Sequence, residues 1–166
     1  MPNCSGCRAY MSVTGKKTGQ FQGEGTNAQH ADQIRVLAFT MGVTSPRDAD
    51  TGQATGKRRF QPITIIKEWG AASPQGLEAC ATNEDLSTVK IEFIKMKATG
   101  EEYVSQTVHL TDATIVDISR FIGDAEAAVD LQVGFTDAGG LERWSFMFQK
   151  IEVDDADGKT SFVDKW

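Results

Sequence analysis

Apolar and polar positions alternate along most of this chain with the two-residue period of strands. The clearest alternation flanks one short helix-like stretch. In Val89-Lys90-Ile91-Glu92-Phe93 apolar and charged residues take turns, so Val89, Ile91 and Phe93 share one face of a strand. Two runs, Arg59–Trp69 and Thr88–Met96, are short and β-branched, which favours strands over helices. Between them Ser73 is placed to cap a helix and Pro74 suits its first position. Leu77, Cys80 and Ala81 then fall at i, i+3 and i+4, and Asn83 suits a left-handed end. A strand, a short helix and a second strand make a core unit, with Leu77, Cys80, Val89, Ile91 and Phe93 as its expected buried residues.

The rest of the chain adds strands. Arg8–Thr14 reads as the first, followed by a polar Gly15–Ala31 loop. Ile34–Val43 reads as a second strand that Ser45-Pro46 ends, opening a loop to Lys57 that contains Asp48, Asp50, Gly52 and Gly56. Beyond the central unit come Glu102–Leu110, a turn at Thr111-Asp112, and Ala113–Arg120. Ala127–Phe135, a hairpin turn at Asp137–Gly140, the long strand Glu142–Val153 and an acidic, turn-like tail Asp154–Trp166 follow. About eight strands and one helix predict a mainly β fold, an antiparallel barrel or sandwich with one short flanking helix. Ile34–Val43 and Glu142–Val153 carry apolar residues on both faces. An antiparallel sheet that faces water keeps one face polar, so either the helix and loops or a partner subunit covers the second face.

At 166 residues, 40% of them apolar, the chain is expected to be one domain, 1–166, with a Cys-containing leader at 1–7 and the tail at 154–166. Residues 101–166 hold five basic residues against fourteen acidic, a balance of −9, so the first hundred carry +3 of the net −6. One basic triplet, Lys57-Arg58-Arg59, provides no stripe to track phosphates, so nucleic acid is not an expected partner. No apolar run reaches the length of a membrane helix, and the start lacks a secretory h-region, so folding in the cytoplasm is expected. Cys4-x-x-Cys7 has no second ligand pair for zinc, and Cys80 is read as a core residue. His30 and His109 belong to no spaced ligand motif, and His109 is expected to meet solvent. Gly52–Arg58 echoes a phosphate loop without its hydroxyl, and Asp155, Asp157 and Gly158 echo a calcium loop without its first and twelfth ligands. Neither a catalytic site, nor a cofactor, nor a metal is expected.

Against this background four segments carry a resemblance. Gly23–Val43 (GEGTNAQHADQIRVLAFTMGV) places His30, Asp32, Ile34, Val36, Leu37, Phe39, Gly42 and Val43 in a pattern similar to the second-strand region of the haemolysin-coregulated protein (Hcp) family of type VI secretion. Gly56-Lys57 and the Phe60 strand continue it. Leu77–Thr82 resembles the family's Leu-Leu-x-Ala-Cys helix, and Ser145–Ile151 its closing strand. The leader, the longer Gly15–Gln22 loop and the tail after Val153 depart from the pattern. The resemblance implies a barrel like that of phage tail tubes, in hexameric rings that stack into a hollow tube, so that a partner subunit covers the second apolar faces. It further implies sheath and tip proteins as partners, small effectors in the lumen, and export without a cleaved signal. It also implies that the Ser45–Lys57 loop contacts neighbouring subunits, which makes Asp48, Asp50, Lys57, Arg58 and Arg59 candidate interface residues. The alternatives are the tube of a related contractile particle and a ligand-binding or hydrolytic β-barrel. The last lacks a convergent polar cluster in the sequence.

Overall fold

The computed structural model describes residues 8–24, 28–122 and 140–166. The leader with Cys4 and Cys7, the Ala127–Phe135 strand and all but the last residue of the Asp137–Gly140 turn lie outside them. In chain order the strands are β1 (Arg8–Gly15), β2 (Gly19–Gln20), β3 (Ile34–Val36), β4 (Ala38–Thr40), β5 (Val43–Thr44), β6 (Arg59–Phe60) and β7 (Ile63–Glu68). The helix α1 (Ser73–Thr82) follows, then β8 (Leu86–Met96), β9 (Glu102–Phe121), β10 (Leu141–Met147), β11 (Lys150–Asp155) and β12 (Thr160–Lys165). All pairings are antiparallel. The main path runs β2-β1-β8-β9-β10-β7-β4, with β11 between β9 and β12, β3 on β1, and β5 paired to β6.

Two strands turn the corners of this barrel. β9 pairs along Glu102–Ala113 with β8 and along Thr114–Phe121 with β10. Asp112, with φ of 50°, marks the change. The turn expected at Thr111-Asp112 is therefore not a reversal; one residue takes a turn-like conformation and the strand continues. Ile34–Val43, by contrast, is not one strand. β3 pairs with β1, β4 with β7 and β5 with β6, so the chain itself crosses at Leu37 from one end of the path to the other.

Each crossing changes which alternate positions face inward. Ile34 and Val36 are buried, but past Leu37 it is Phe39 and Met41 that pack against the core. Val108 and Leu110 give way to Ala113 and Ile115 after Asp112, and Trp144, Phe146 and Phe148 give way to Ile151 across Gln149. Opposite Phe93 and Ile94 of β8, β9 carries an extra residue, Ser105, and at this bulge burial in β8 shifts from Val89 and Ile91 to Ile94, leaving Phe93 partly buried. Much of the apolar character on both faces of Ile34–Val43 and Glu142–Val153 arises from these phase changes, while Val43 stays 54% exposed. Two further expectations are corrected. The loop after β1 folds back through β2 and drives Phe21 into the core, and the tail forms β12 instead of a turn.

The helix forms where expected, with Pro74 in its first turn and Asn83 left-handed at φ 55°. Its buried face is different. Ser73, Gly76 and Ala79 are buried, whereas Leu77 is 38% exposed. The cause is Trp144, which lies beneath the helix so closely that a Cβ on Gly76 would sit 2.4 Å from the indole. Only small side chains fit that stripe, so Leu77, one position on, is turned outward. Cys80 is partly buried against the core. Ser73 does not cap the helix: Ala72 holds the cap position without a side-chain hydrogen bond.

Candidate assembly surface

The loop between β5 and β6 is a compact structure of its own. Asp48 Oδ1 accepts from the amides of Thr51, at 2.9 Å, and Asp50, at 2.8 Å. These two bonds hold its carboxyl below the ordinary aspartate range. Gly52, at φ 72°, closes the turn, and Arg47 bridges to Ala54. Asp48 is thus engaged within its own loop, while Asp50 is exposed.

At the root of the loop the three basic residues separate. Arg58 Nε donates to Asp164 Oδ2 at 2.7 Å and Nη2 to the Lys165 carbonyl at 2.9 Å. The guanidinium holds the Asp164 carboxyl below its usual range and is itself raised by it. Arg58 therefore takes its counter-ion from β12 of its own chain. Lys57 and Arg59 are exposed and make no ion pair among the described residues. Phe60 stands edge-on to Phe148 at 5.3 Å and to Trp166 at 5.9 Å. Around this root Val43 and Trp166 remain 54% exposed, and Phe162 and Val163 stand exposed on β12.

A second cluster, unsuspected from the sequence, lies inside. β7 brings Lys67 opposite Glu142 of β10, both fully buried, with Lys67 Nζ 2.7 Å from Glu142 Oε1. Ser73 Oγ donates to the same oxygen at 2.6 Å, and Arg120 Nε to Oε2 at 3.1 Å while stacking over Trp69. Glu24 Oε1 also lies 2.7 Å from Lys67 Nζ. Burial raises the Glu24 carboxyl, against the opposing pull of Lys67. Two cations and two carboxylates thus cancel where β7, β10, β9 and the start of α1 meet. Such a pairing is expensive to bury and more expensive to break. Lys67 and Glu142 are sealed from solvent and locked to one another, with Arg120 closing the cluster from the exposed side, which makes it a structural joint.

The histidines are also tied down. His30 stacks on Tyr10 at 3.8 Å and contacts Gln33 Oε1 and Glu102 Oε2. His109 is only partly exposed and meets Thr88 Oγ1 at 2.5 Å, with Glu152 3.6 Å away on its other side. Among the described residues no group of three or more His, Cys, Asp or Glu side chains is placed to hold a metal, and no helix is long and apolar enough to cross a membrane.

The architecture defines a class first: a β-barrel with sheets joined by corner strands and a single short helix laid on its core. A family model described as the type VI secretion system effector Hcp matches residues 10–154. The chain is 33% identical over 167 residues to the major exported protein of Pseudomonas aeruginosa, covering 95% of this chain and 94% of that one. The chain belongs to the Hcp family of type VI secretion proteins. Among solved structures, a crystal structure of an Hcp protein superposes with a TM-score of 0.84 at 22% identity, covering 96% of this chain and 99% of the other. The secreted protein Hcp3 from Pseudomonas aeruginosa does so at 0.75 and 28%, covering 96% and 98%.

Proposed function

We propose that this protein is the tube subunit of a type VI secretion machine. It assembles into hexameric rings that stack head to tail into a hollow tube, which a sheath drives outward behind a tip. Small effector proteins ride in the lumen. The subunit performs no catalysis; it folds in the cytoplasm as a single domain spanning 1–166 and leaves through the machine without a cleaved signal. The observation that carries this reading is the family match over residues 10–154, which takes in the barrel from β1 through nearly all of β11. Val43 and Trp166, both 54% exposed and both beside Phe60, support it, because exposed apolar side chains grouped together mark an interaction surface. Solution mass and negative-stain microscopy test it: a six-subunit ring with a central hole is expected. A protein that stays monomeric at micromolar concentration and physiological salt would sink it.

A further inference from the structure

We propose that Lys67 and Glu142 condense into an isopeptide bond, an amide between Lys67 Nζ and the Glu142 side-chain carbon, with Glu24 as the proton carrier. The two residues face each other on one rung of the β7–β10 ladder, so the bond ties these strands covalently. Lys67 is 1% exposed and Glu142 not at all, so bulk water neither solvates the amine nor competes for the carboxyl. With Nζ 2.7 Å from Oε1, the carboxyl carbon lies one C–O bond further on, close to the ~3–3.5 Å of a near-attack contact. Three features separate this pair from a surface pair such as Arg58–Asp164. The same nitrogen lies 2.7 Å from a second carboxyl, Glu24 Oε1, which burial inclines toward taking up a proton. Both oxygens of Glu142 are held by donors, Oε1 by the Ser73 hydroxyl at 2.6 Å and Oε2 by Arg120 Nε at 3.1 Å. Glu24 is itself fixed, by the Ala72 amide and by Gly70, where a Cβ would collide with its carboxyl.

The step balances within the cluster. Glu24 takes one proton from the Lys67 ammonium and frees the amine, whose lone pair forms the bond to the Glu142 carboxyl carbon. Charge that builds on the carboxyl oxygens meets the Arg120 guanidinium at Oε2 and the Ser73 hydroxyl at Oε1. Oε1 then receives the proton held by Glu24 and a second one from the nitrogen, the C–Oε1 bond breaks, and water leaves. Of the three ammonium protons, one stays on the amide and two depart in the water. Nothing is oxidised or reduced, and no co-reactant is consumed. Glu24 lines a cavity of about 240 Å³ together with Tyr10, Arg35 and Trp69, which gives the water a way out. Condensation removes the expense of holding Lys67 and Glu142 charged in the interior, and the charges that remain, on Glu24 and Arg120, cancel. The event happens once per chain and involves no turnover.

The test is mass spectrometry on the full chain, folded and incubated at neutral pH, then denatured. Wild type should be lighter than its sequence by one water molecule. Trypsin should fail to cut after Lys67 and should release residues 60–90 joined to residues 121–143. Lys67→Arg, which keeps the charge but offers no amine, should retain its full mass. Glu24→Gln, which cannot carry the proton, should slow the loss of water by about a hundredfold or more. A folded wild type that keeps its full mass and is cut after Lys67 would overturn the inference, as would a loss of water mapped to other residues. Equal rates in wild type and Glu24→Gln would remove Glu24 from the step. Circular dichroism shows whether each variant folds, and should neither do so, the wild-type mass and peptide map decide alone. Because the chain is measured denatured, the result does not depend on whether it assembles, and the tube reading stands or falls separately.

Discussion

At the level of single residues, the most consequential side chains are ones whose type argues for the surface. Lys67 and Glu142 are both buried, yet each sits in phase with a dry strand face: Ile63, Ile65 and Lys67 on β7, and Glu142, Trp144 and Phe146 on β10. The alternation was legible; the expectation that charges point outward hid it. Their partner Glu24 yields a pH prediction. Its folded carboxyl titrates above the ordinary 4.5 because burial disfavours the charge. The folded protein therefore binds this proton more tightly than the unfolded chain does. Glu24 then lowers stability as pH rises from 4.5 through its folded value, and the cost persists above it. Glu24→Gln should remove that component. In urea melts taken upward from pH 4.5, wild type minus Glu24→Gln should become less favourable as pH rises through the folded value and then level off. A difference that is flat, or of opposite slope, would show that Lys67 outweighs burial.

Among the elements, existence was easier to read than phase. α1 and the central strands fall close to where periodicity puts them, because β-branched runs, Pro74 and Asn83 act locally. The phase depends on partners far along the chain: Trp144 beneath the helix, the bulge at Phe93, and the crossings at Leu37, Asp112 and Gln149. None of these can be seen in a window of ten residues, and each exchanges the inner and outer sets of alternate positions. The helix gives a direct check. Leu77, being 38% exposed, should tolerate alanine with a loss below about 1 kcal/mol, far less than the ~2–5 kcal/mol of a core leucine. Gly76→Ala is the contrasting case. Alanine's better helix propensity contributes about 1 kcal/mol, but its methyl would meet Trp144 at 2.4 Å, and overpacking costs ~1–3 kcal/mol. A net destabilisation larger than that of Leu77→Ala is expected in denaturant melts. The reverse order would mean the helix is rotated from the position described.

On the scale of the whole molecule, chain crossings join the sheets, and the long loop is tied to β12 across 106 positions of sequence. That tie was not legible. The triplet Lys57-Arg58-Arg59 looked like one patch, and only the fold shows Arg58 turned to Asp164 while its neighbours face solvent. Besides this contact, β5 and β6 are held by two ladder pairs, by the Gln61 amide donating to the Gly42 carbonyl at 2.9 Å, and by Phe60 against Phe148 and Trp166. Two-residue ladders open readily, so the bidentate Arg58–Asp164 pair should govern how often the loop root opens, with little influence on the barrel. Asp164→Asn keeps the shape of the side chain but removes its charge. It should speed amide exchange across Val43–Phe60 and leave exchange in β8 and β9 unchanged. Reversing both charges, Arg58→Asp with Asp164→Arg, should restore part of the protection. High salt should weaken the wild-type protection toward that of Asp164→Asn, since the pair is partly exposed. Unchanged exchange at the loop root in Asp164→Asn would show that the aromatic contacts alone hold it, and that the ion pair merely decorates a surface already fixed.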